Sequence, residues 1–509
     1  MSNVNFVMYS SSVHDASVSF ILNDNPFYIS LERYYQIKHF GLKNIGIPIP
    51  VLFKNKELHQ KAKKFFYEKY IKKILENEDL TKKTLVKQDT HIFSYDTTIR
   101  PHHHRHALSV DFCEKIPCDV HIVIDGEGDS KWWSVYRNNK LIDSADIIET
   151  GGSLGHGISH TGYYSGLISK NTIALDVPGK YMGLQSYGKI NEKYYDNLLK
   201  YNMRYMGEKE TTTYNTFILN ENHMFAIDYE KTTNEKIDIM HTIHKRAGEI
   251  ILSIFEKYVL PHEKIGYSGG VAQNIIWNTM LKKRYPNLVV YPHSSDEGMA
   301  IGLLEMFRQK YSIPKEKFKL EKYPYCQYDE APETTPSIDT IHKTAKFLAD
   351  GKIVAWYQGH GEVGPRALGN RSILMDPRIP NGKDVINRVK NREHYRPFGS
   401  SVLSEYAKEY FDLDFPNPYM LYLGYTQKSN LDAITHVDGT SRAQTVDSSC
   451  GYFRTLLEHF FELTDCPVLL NTSLNEAGKP IAGWIKNAEN LFASTSIDVL
   501  VVGDRIYEK

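Results

Sequence analysis

Residues 322–337, KYPYCQYDEAPETTPS, interrupt the hydrophobic periodicity and separate two stretches that each alternate strand-like and helix-like runs. A Pro-, Thr- and acid-rich segment of this kind reads as a connector between domains. At 509 residues the chain also exceeds what one ordinary core organises. The expected organisation is two α/β domains, residues 1–325 and 336–509.

The first stretch opens with three short apolar runs, Phe6 to Tyr9, Ala16 to Leu22 and Phe27 to Leu31, with Asn23-Asp24-Asn25 as a turn. From Glu57 to Glu76 the pattern turns helical and charged. Ile243, Ala247, Ile250, Ile251 and Ile254 mark one face of an amphipathic helix, followed by strands at Lys264 to Tyr267 and Leu288 to Tyr291. Beyond the connector, strands are expected at Ile353 to Tyr357, Tyr419 to Tyr425, Val468 to Leu470 and Val499 to Val502.

Lys+Arg and Asp+Glu are equal at 61 each, so no global field draws the chain to nucleic acid or to an anionic membrane. No apolar run approaches the ~20 residues that span a bilayer, and MSNVNFVMYSSS lacks the cationic start of a signal peptide. The five cysteines, Cys113, Cys118, Cys326, Cys450 and Cys466, show no CxxC spacing and read as buried thiols of a reducing compartment. A cytoplasmic enzyme is the expectation.

His102-His103-His104-Arg105-His106 sets two imidazoles, His102 and His106, on one face of a helix. Asp125 ends the apolar run Val120–Ile124 at a Gly-Glu-Gly turn, and Asp296 lies in Ser294-Ser295-Asp296-Glu297-Gly298 between a strand and a helix. Two histidines and two aspartates would make a nitrogen and oxygen donor set for Fe(II), Mn(II) or Zn(II). A solvated histidine cluster is the competing reading, and spacing does not choose between them.

Ser268-Gly269-Gly270 follows a strand and opens a helix, where backbone N–H groups can approach a phosphate or ribose. Gly359-His360-Gly361-Glu362-Val363-Gly364 matches the dinucleotide GxGxxG, but Pro365-Arg366 follows at once and argues against a helix there. Arg366, Arg371, Lys390, Arg392 and Arg396 crowd one region among glycines, prolines and asparagines, and Arg442 with Asn471-Thr472-Ser473 adds polar groups at turns. Guanidinium forks match phosphate geometry, so ATP with a second phosphorylated substrate is the simplest occupant.

In order along the chain, HDAS at 14–17, HHHRHALS, IDGEGD, PGKYMGLQSYGK, SGGVAQN, SSDEGMAIG, GEVGPRALGNRSIL, VKNREHYRPFGSSVL and CPVLLNTSLNEAGKPI resemble the O-carbamoyltransferase family of nodulation and antibiotic biosynthesis (the NodU/CmcH type). The resemblance covers nearly the whole chain. It implies an actin-like ATPase (ASKHA) fold for residues 1–325, similar to the tRNA threonylcarbamoyl transferases, and a YrdC-like α/β domain for 336–509. In the second, ATP and carbamoyl phosphate would give carbamoyl-adenylate, with Lys390 and Arg396 catalytic and Arg366, Arg442, Asn471 and Ser473 around the nucleotide. In the first, Ser268, Gly269, Gly270 and Asn274 would face the nucleotide beside an ion on His102, His106, Asp125 and Asp296, with Fe(II) as the family's ion and Mg2+ as a further divalent cofactor. His14 matches an active-site histidine, the expected base for the acceptor hydroxyl. Leu31-Glu32-Arg33-Tyr34-Tyr35 departs from the family's run of glutamates, the stretch 151–164 looks expanded, and NTSLN replaces the common NTSFN.

The implied partners are ATP, carbamoyl phosphate and a hydroxyl acceptor of the sugar or antibiotic kind, in a homodimer and away from membranes. The acceptor could instead be a hydroxymethyl pyrimidine in a nucleotide or DNA, the one role left for nucleic acid. Two further functions stay open at the level of sequence: synthesis of tRNA threonylcarbamoyladenosine, and a non-catalytic nucleotide-binding scaffold.

Overall fold

The amino-terminal apolar runs pair as their spacing predicts. In the computed structural model, which describes residues 4–10, 14–22, 25–46, 56–77, 92–94, 102–147, 152–169, 171–200, 232–315 and 322–509, strands Val4–Ser10, Ser17–Leu22 and Asn25–Ser30 form an antiparallel meander. Ile92–Ser94 adds a parallel fourth strand to Val4–Ser10. Residues 23 and 24 of the expected turn lie outside the described residues. The chain divides into two compact units. The first holds residues 1–45, 63–94 and 313–509; the second holds 46–62 and 95–312.

In the second unit a five-stranded sheet runs in the order Lys140–Asp146, Lys131–Arg137, Val120–Gly128, Ile265–Ser268, Leu288–Val290. The first three strands are antiparallel and the last three parallel. Val120 to Ile124 are buried on both faces, as a central strand flanked by helices requires. The apolar face expected around Ile243 belongs to the helix Thr233–Tyr258, which Thr232 and Glu235 start with a capping box.

In the first unit the carboxy-terminal residues build an eight-stranded mixed sheet in which Arg371–Met375 and Val468–Ser473 lie side by side at the centre. Of the strand expected over Tyr419 to Tyr425 only Gly424–Tyr425 forms. Asn417 explains the loss, because its amide donates to the carbonyls of Tyr422 and Ala443 at 2.9 Å and 2.6 Å and its oxygen accepts from Leu421 N. The backbone groups of Leu421 and Tyr422 are thereby satisfied in a turn rather than a ladder. Residues 359–364 form an irregular loop with no following helix, so the GxGxxG match is a coincidence of spacing.

The segment expected to be a connector is packed. Tyr328 N donates to Tyr28 O at 2.6 Å, Tyr28 N donates to Cys326 O at 2.9 Å, and Cys326 is buried. Its Pro and Thr content removes periodicity, but Tyr325, Cys326 and Tyr328 supply apolar surface that composition alone hides. Of the five free cysteines, four are buried and Cys113 is half-buried. Among the described residues no helix is long and apolar enough to cross a membrane.

Two buried histidines of the second unit carry a pH prediction. His244 stacks on Trp277 at 4.5 Å and burial lowers it from 6.5 to about 3; His293 is lowered by burial to about 4. Below its ordinary value each ring binds a proton when unfolded but stays neutral when folded, so stability falls as pH drops from 6.5 toward the folded values. Each group costs about 1.4 kcal/mol per pH unit in that window. Thermal melts of metal-free protein should shift steadily downward from pH 6.5 to 5, and His244→Gln should flatten part of that slope.

Candidate active site

Two imidazoles and two carboxylates converge in the second unit. The helix His102–Cys113 begins on the histidine run, and its pitch stacks His102 over His106 with their Nε2 atoms 3.2 Å apart. Asp125, from the Val120–Gly128 strand, brings Oδ2 to 3.0 Å from His102 Nε2 and 3.4 Å from His106 Nε2. Asp296 opens a short 3-10 turn and sets Oδ1 at 3.2 Å and 3.5 Å from the same nitrogens. All four residues expected from the sequence meet here.

The donor set fits a metal ion. Bonds of about 2.0–2.2 Å to nitrogen and oxygen require neighbouring donors roughly 3.0–3.5 Å apart, the spacing observed. Burial disfavours the His102 imidazolium, yet Asp296 and Asp125 outweigh it and raise the group to about 9. Burial also opposes the Asp125 carboxylate, yet His102 and His106 hold it well below the usual carboxylate range. The pocket thus demands positive charge, which a divalent ion supplies without protons. The other two histidines face elsewhere: His103 meets Ser134 Oγ at 2.8 Å, and His104 stacks on Tyr136.

The Ser268-Gly269-Gly270 turn serves this site. Gly270 N donates to Asp125 Oδ1 at 3.0 Å, beside a 2.8 Å bond from Gly126 N, and fixes the carboxylate. Gly269 has φ +94, and a Cβ there would strike the Ile124 carbonyl. Its N–H donates to Ser294 O at 2.8 Å. Both amides expected at a phosphate are therefore engaged inside the protein, because the loop must close on Asp125. Asn274 is likewise occupied: its oxygen caps the helix Ile275–Arg284, and its amide faces His244 Nε2 at 2.8 Å. Ser268 ends its strand fully buried.

In the first unit a second set of groups shares one charge. Lys390 is buried and donates to the Ser473 carbonyl, to Ser473 Oγ at 3.0 Å and to Asn475 Oδ1 at 2.6 Å. Burial, then Arg392, Arg396 and Lys38, depress its ammonium well below the ordinary range. Burial, then Arg366, Arg392 and Arg396, act in the same sense on Arg442. A guanidinium keeps its proton regardless, so the crowding leaves a demand for a polyanion. Arg392 lies over the Phe398 ring at 4.0 Å, and Arg396 has Glu393 at 3.8 Å. Arg371 does not join them. It is fully buried over Tyr357, paired with Asp329 at 3.1 Å and donating to four backbone carbonyls, which makes it an internal tie of the fold. Asn471 is also internal, its amide donating to Ser401 Oγ at 2.9 Å.

Sequence reading missed Asn475, Lys38 and the partners of His14. Asn475 stands two residues beyond Ser473 in NTSLN, and that motif was its signal. His14 Nδ1 lies 2.8 Å from Asp15 Oδ2, and His39 Nδ1 lies 2.8 Å from Asp15 Oδ1.

Residues 10–303 match the family model described as carbamoyltransferase N-terminus, and residues 345–509 match carbamoyltransferase C-terminus. The chain belongs to the carbamoyltransferase family. An uncharacterised protein of Synechocystis is 31% identical over 80% of this carbamoyltransferase and 75% of its own length. Nodulation protein NolNO of Sinorhizobium fredii is 34% identical over 54% of this chain and 45% of its own. The 3′-hydroxymethylcephem-O-carbamoyltransferase of Amycolatopsis lactamdurans is 35% identical over 48% of each. The carbamoyltransferase therefore spans about half the length of these two named relatives. The match to component A of Acidaminococcus fermentans (R)-2-hydroxyglutaryl-CoA dehydratase covers 60% of the carbamoyltransferase and 98% of that chain at a TM-score of 0.31 and 11% identity.

One consequence for the carbamoyltransferase follows from the turn that holds Asp125. A Cβ added at Gly270 would stand 2.9 Å from Asp125 Oδ1 and displace the carboxylate. Were this donor set to take up an ion, Gly270→Ala should weaken its binding by about 10–100-fold in an anaerobic Fe(II) titration, with the fold retained by circular dichroism.

Proposed function

We propose that this carbamoyltransferase makes carbamoyl-adenylate from ATP and carbamoyl phosphate, then transfers the carbamoyl group to a hydroxyl of a small molecule such as a sugar or antibiotic scaffold. The observation that carries the reading is the convergence of His102, His106, Asp125 and Asp296 on one donor cluster. The crowding of cations around Lys390 and Arg442 supports the first reaction. The acceptor class rests on the named Amycolatopsis relative. We assign the first reaction to a YrdC-like region within residues 336–509, and the second to an ASKHA-like region within residues 1–325.

Adenylate formation balances as carbamoyl phosphate, ATP and water giving carbamoyl-adenylate, pyrophosphate and phosphate. Nitrogen donates into the carbonyl of a carbamoyl group and makes it a poor electrophile; joining it to a phosphate provides a leaving group. Lys390, Arg396, Arg366 and Arg442 would neutralise the phosphates and bring the reacting ends together. Lys390, fixed by Ser473 and Asn475, is oriented before substrate arrives.

In the second reaction the hydroxyl oxygen bonds to the carbamoyl carbon, the carbon–phosphate oxygen bond breaks, and AMP leaves. His14 would take the hydroxyl proton. Fe(II), held by His102, His106, Asp125 and Asp296, would supply Lewis-acid stabilisation of developing negative charge, and Mg2+ is a further candidate cofactor. A cytoplasmic location and a homodimer complete the proposal. Pyrophosphate release from ATP tests the first reaction: it should require carbamoyl phosphate. Release driven equally by threonine and bicarbonate would favour tRNA threonylcarbamoylation instead.

A further inference from the structure

We propose that Asp15 is the positioning residue for His14, fixing that ring as its Nδ1–H tautomer, and that His39 is a second imidazole anchoring the same carboxylate; the inference rests on His14 serving as the base. Asp15 sits between two rings. Its Oδ2 lies 2.8 Å from His14 Nδ1, and its Oδ1 lies 2.8 Å from His39 Nδ1. An ionised carboxylate only accepts hydrogen bonds, so both Nδ1 atoms carry the hydrogen and each ring's basic nitrogen is Nε2. A base that takes a hydroxyl proton needs that nitrogen deprotonated and aimed.

The backbone is shaped for this contact. Asp15 and His39 both adopt the left-handed region, at φ 52 and φ 53, which is uncommon away from glycine. Ala16 N donates to Phe40 O at 2.8 Å, so the residues after Asp15 and after His39 are tied directly. Glu32 completes the frame by accepting from His39 N at 2.9 Å. The His14 side chain is 29% exposed against 16% for His39. The more accessible ring is therefore the one to meet substrate, and the more covered one is the anchor.

The test is nitrogen NMR on full-length protein labelled only at histidine, with His14→Asn used to assign the His14 signals. In the native chain, at a pH where the ring is neutral, His14 is expected to show a protonated Nδ1 and a bare Nε2. Asp15→Asn should lose that preference, whereas Asp15→Glu should largely restore it. Circular dichroism of the variants reports that the fold survives. A bare Nδ1 in the native protein, or an unchanged spectrum in Asp15→Asn, overturns the inference. Neither result depends on His14 being the base; unimpaired carbamoyl transfer by His14→Asn would sink that reading separately.

Discussion

His106→Ala is expected to leave carbamoyl phosphate-dependent pyrophosphate release within about two-fold of the native rate, as for independent sites, while carbamoyl transfer falls at least about 100-fold. His106 is fully buried, and its Nε2 touches His102, Asp125 and Asp296 within 3.5 Å. Truncation to Ala removes one of four donors and leaves two carboxylates facing a single imidazole. The lost charge balance, rather than lost packing, drives the effect. The two half-reactions are read separately, as pyrophosphate release and as the mass gain of one carbamoyl group on a hydroxyl acceptor. Equal loss of both would contradict the division of labour.

Arg396→Ala is expected to do the opposite to the first step, lowering pyrophosphate release by about 10²–10³-fold. Arg396 adds to the positive field that depresses Lys390 and Arg442, and its ion pair with Glu393 at 3.8 Å is loose enough to yield to a phosphate. Arg396→Lys should recover only part of the rate, because an ammonium lacks the planar fork that grips two phosphate oxygens. Arg371→Ala should behave differently. Its partners are Asp329 and backbone carbonyls, so it should lower the melting temperature rather than act on the anion site.

The histidine pair of the cluster was legible because helical periodicity is local. Four-residue spacing fixes His102 and His106 on one face wherever the helix packs. Asp125 and Asp296 lie on other elements, where a strand end and a strand-to-helix loop marked them as candidates, and the family resemblance favoured grouping them with the pair. The glycine turn was legible as a turn but not in its use, since a phosphate and an aspartate carboxylate ask the same thing of backbone amides. Arg371 and Arg392 are alike in sequence, but one points into the fold toward Asp329 and the other joins the cluster. The contact between Tyr28 and Cys326 joins distant parts of the chain, and no local pattern announces it. The same holds for Asp15 and His39, whose pairing depends on two left-handed residues meeting.

X-ray absorption on protein loaded anaerobically with Fe(II) decides whether the histidine and aspartate cluster is a metal site. One ion per chain is expected, with only nitrogen and oxygen neighbours, two of them imidazoles, and that signal should vanish in His106→Ala. A sulfur neighbour would instead point to the buried group of Asp111, Cys118 and His121. That result, or no bound ion at all, would contradict the assignment of His102, His106, Asp125 and Asp296.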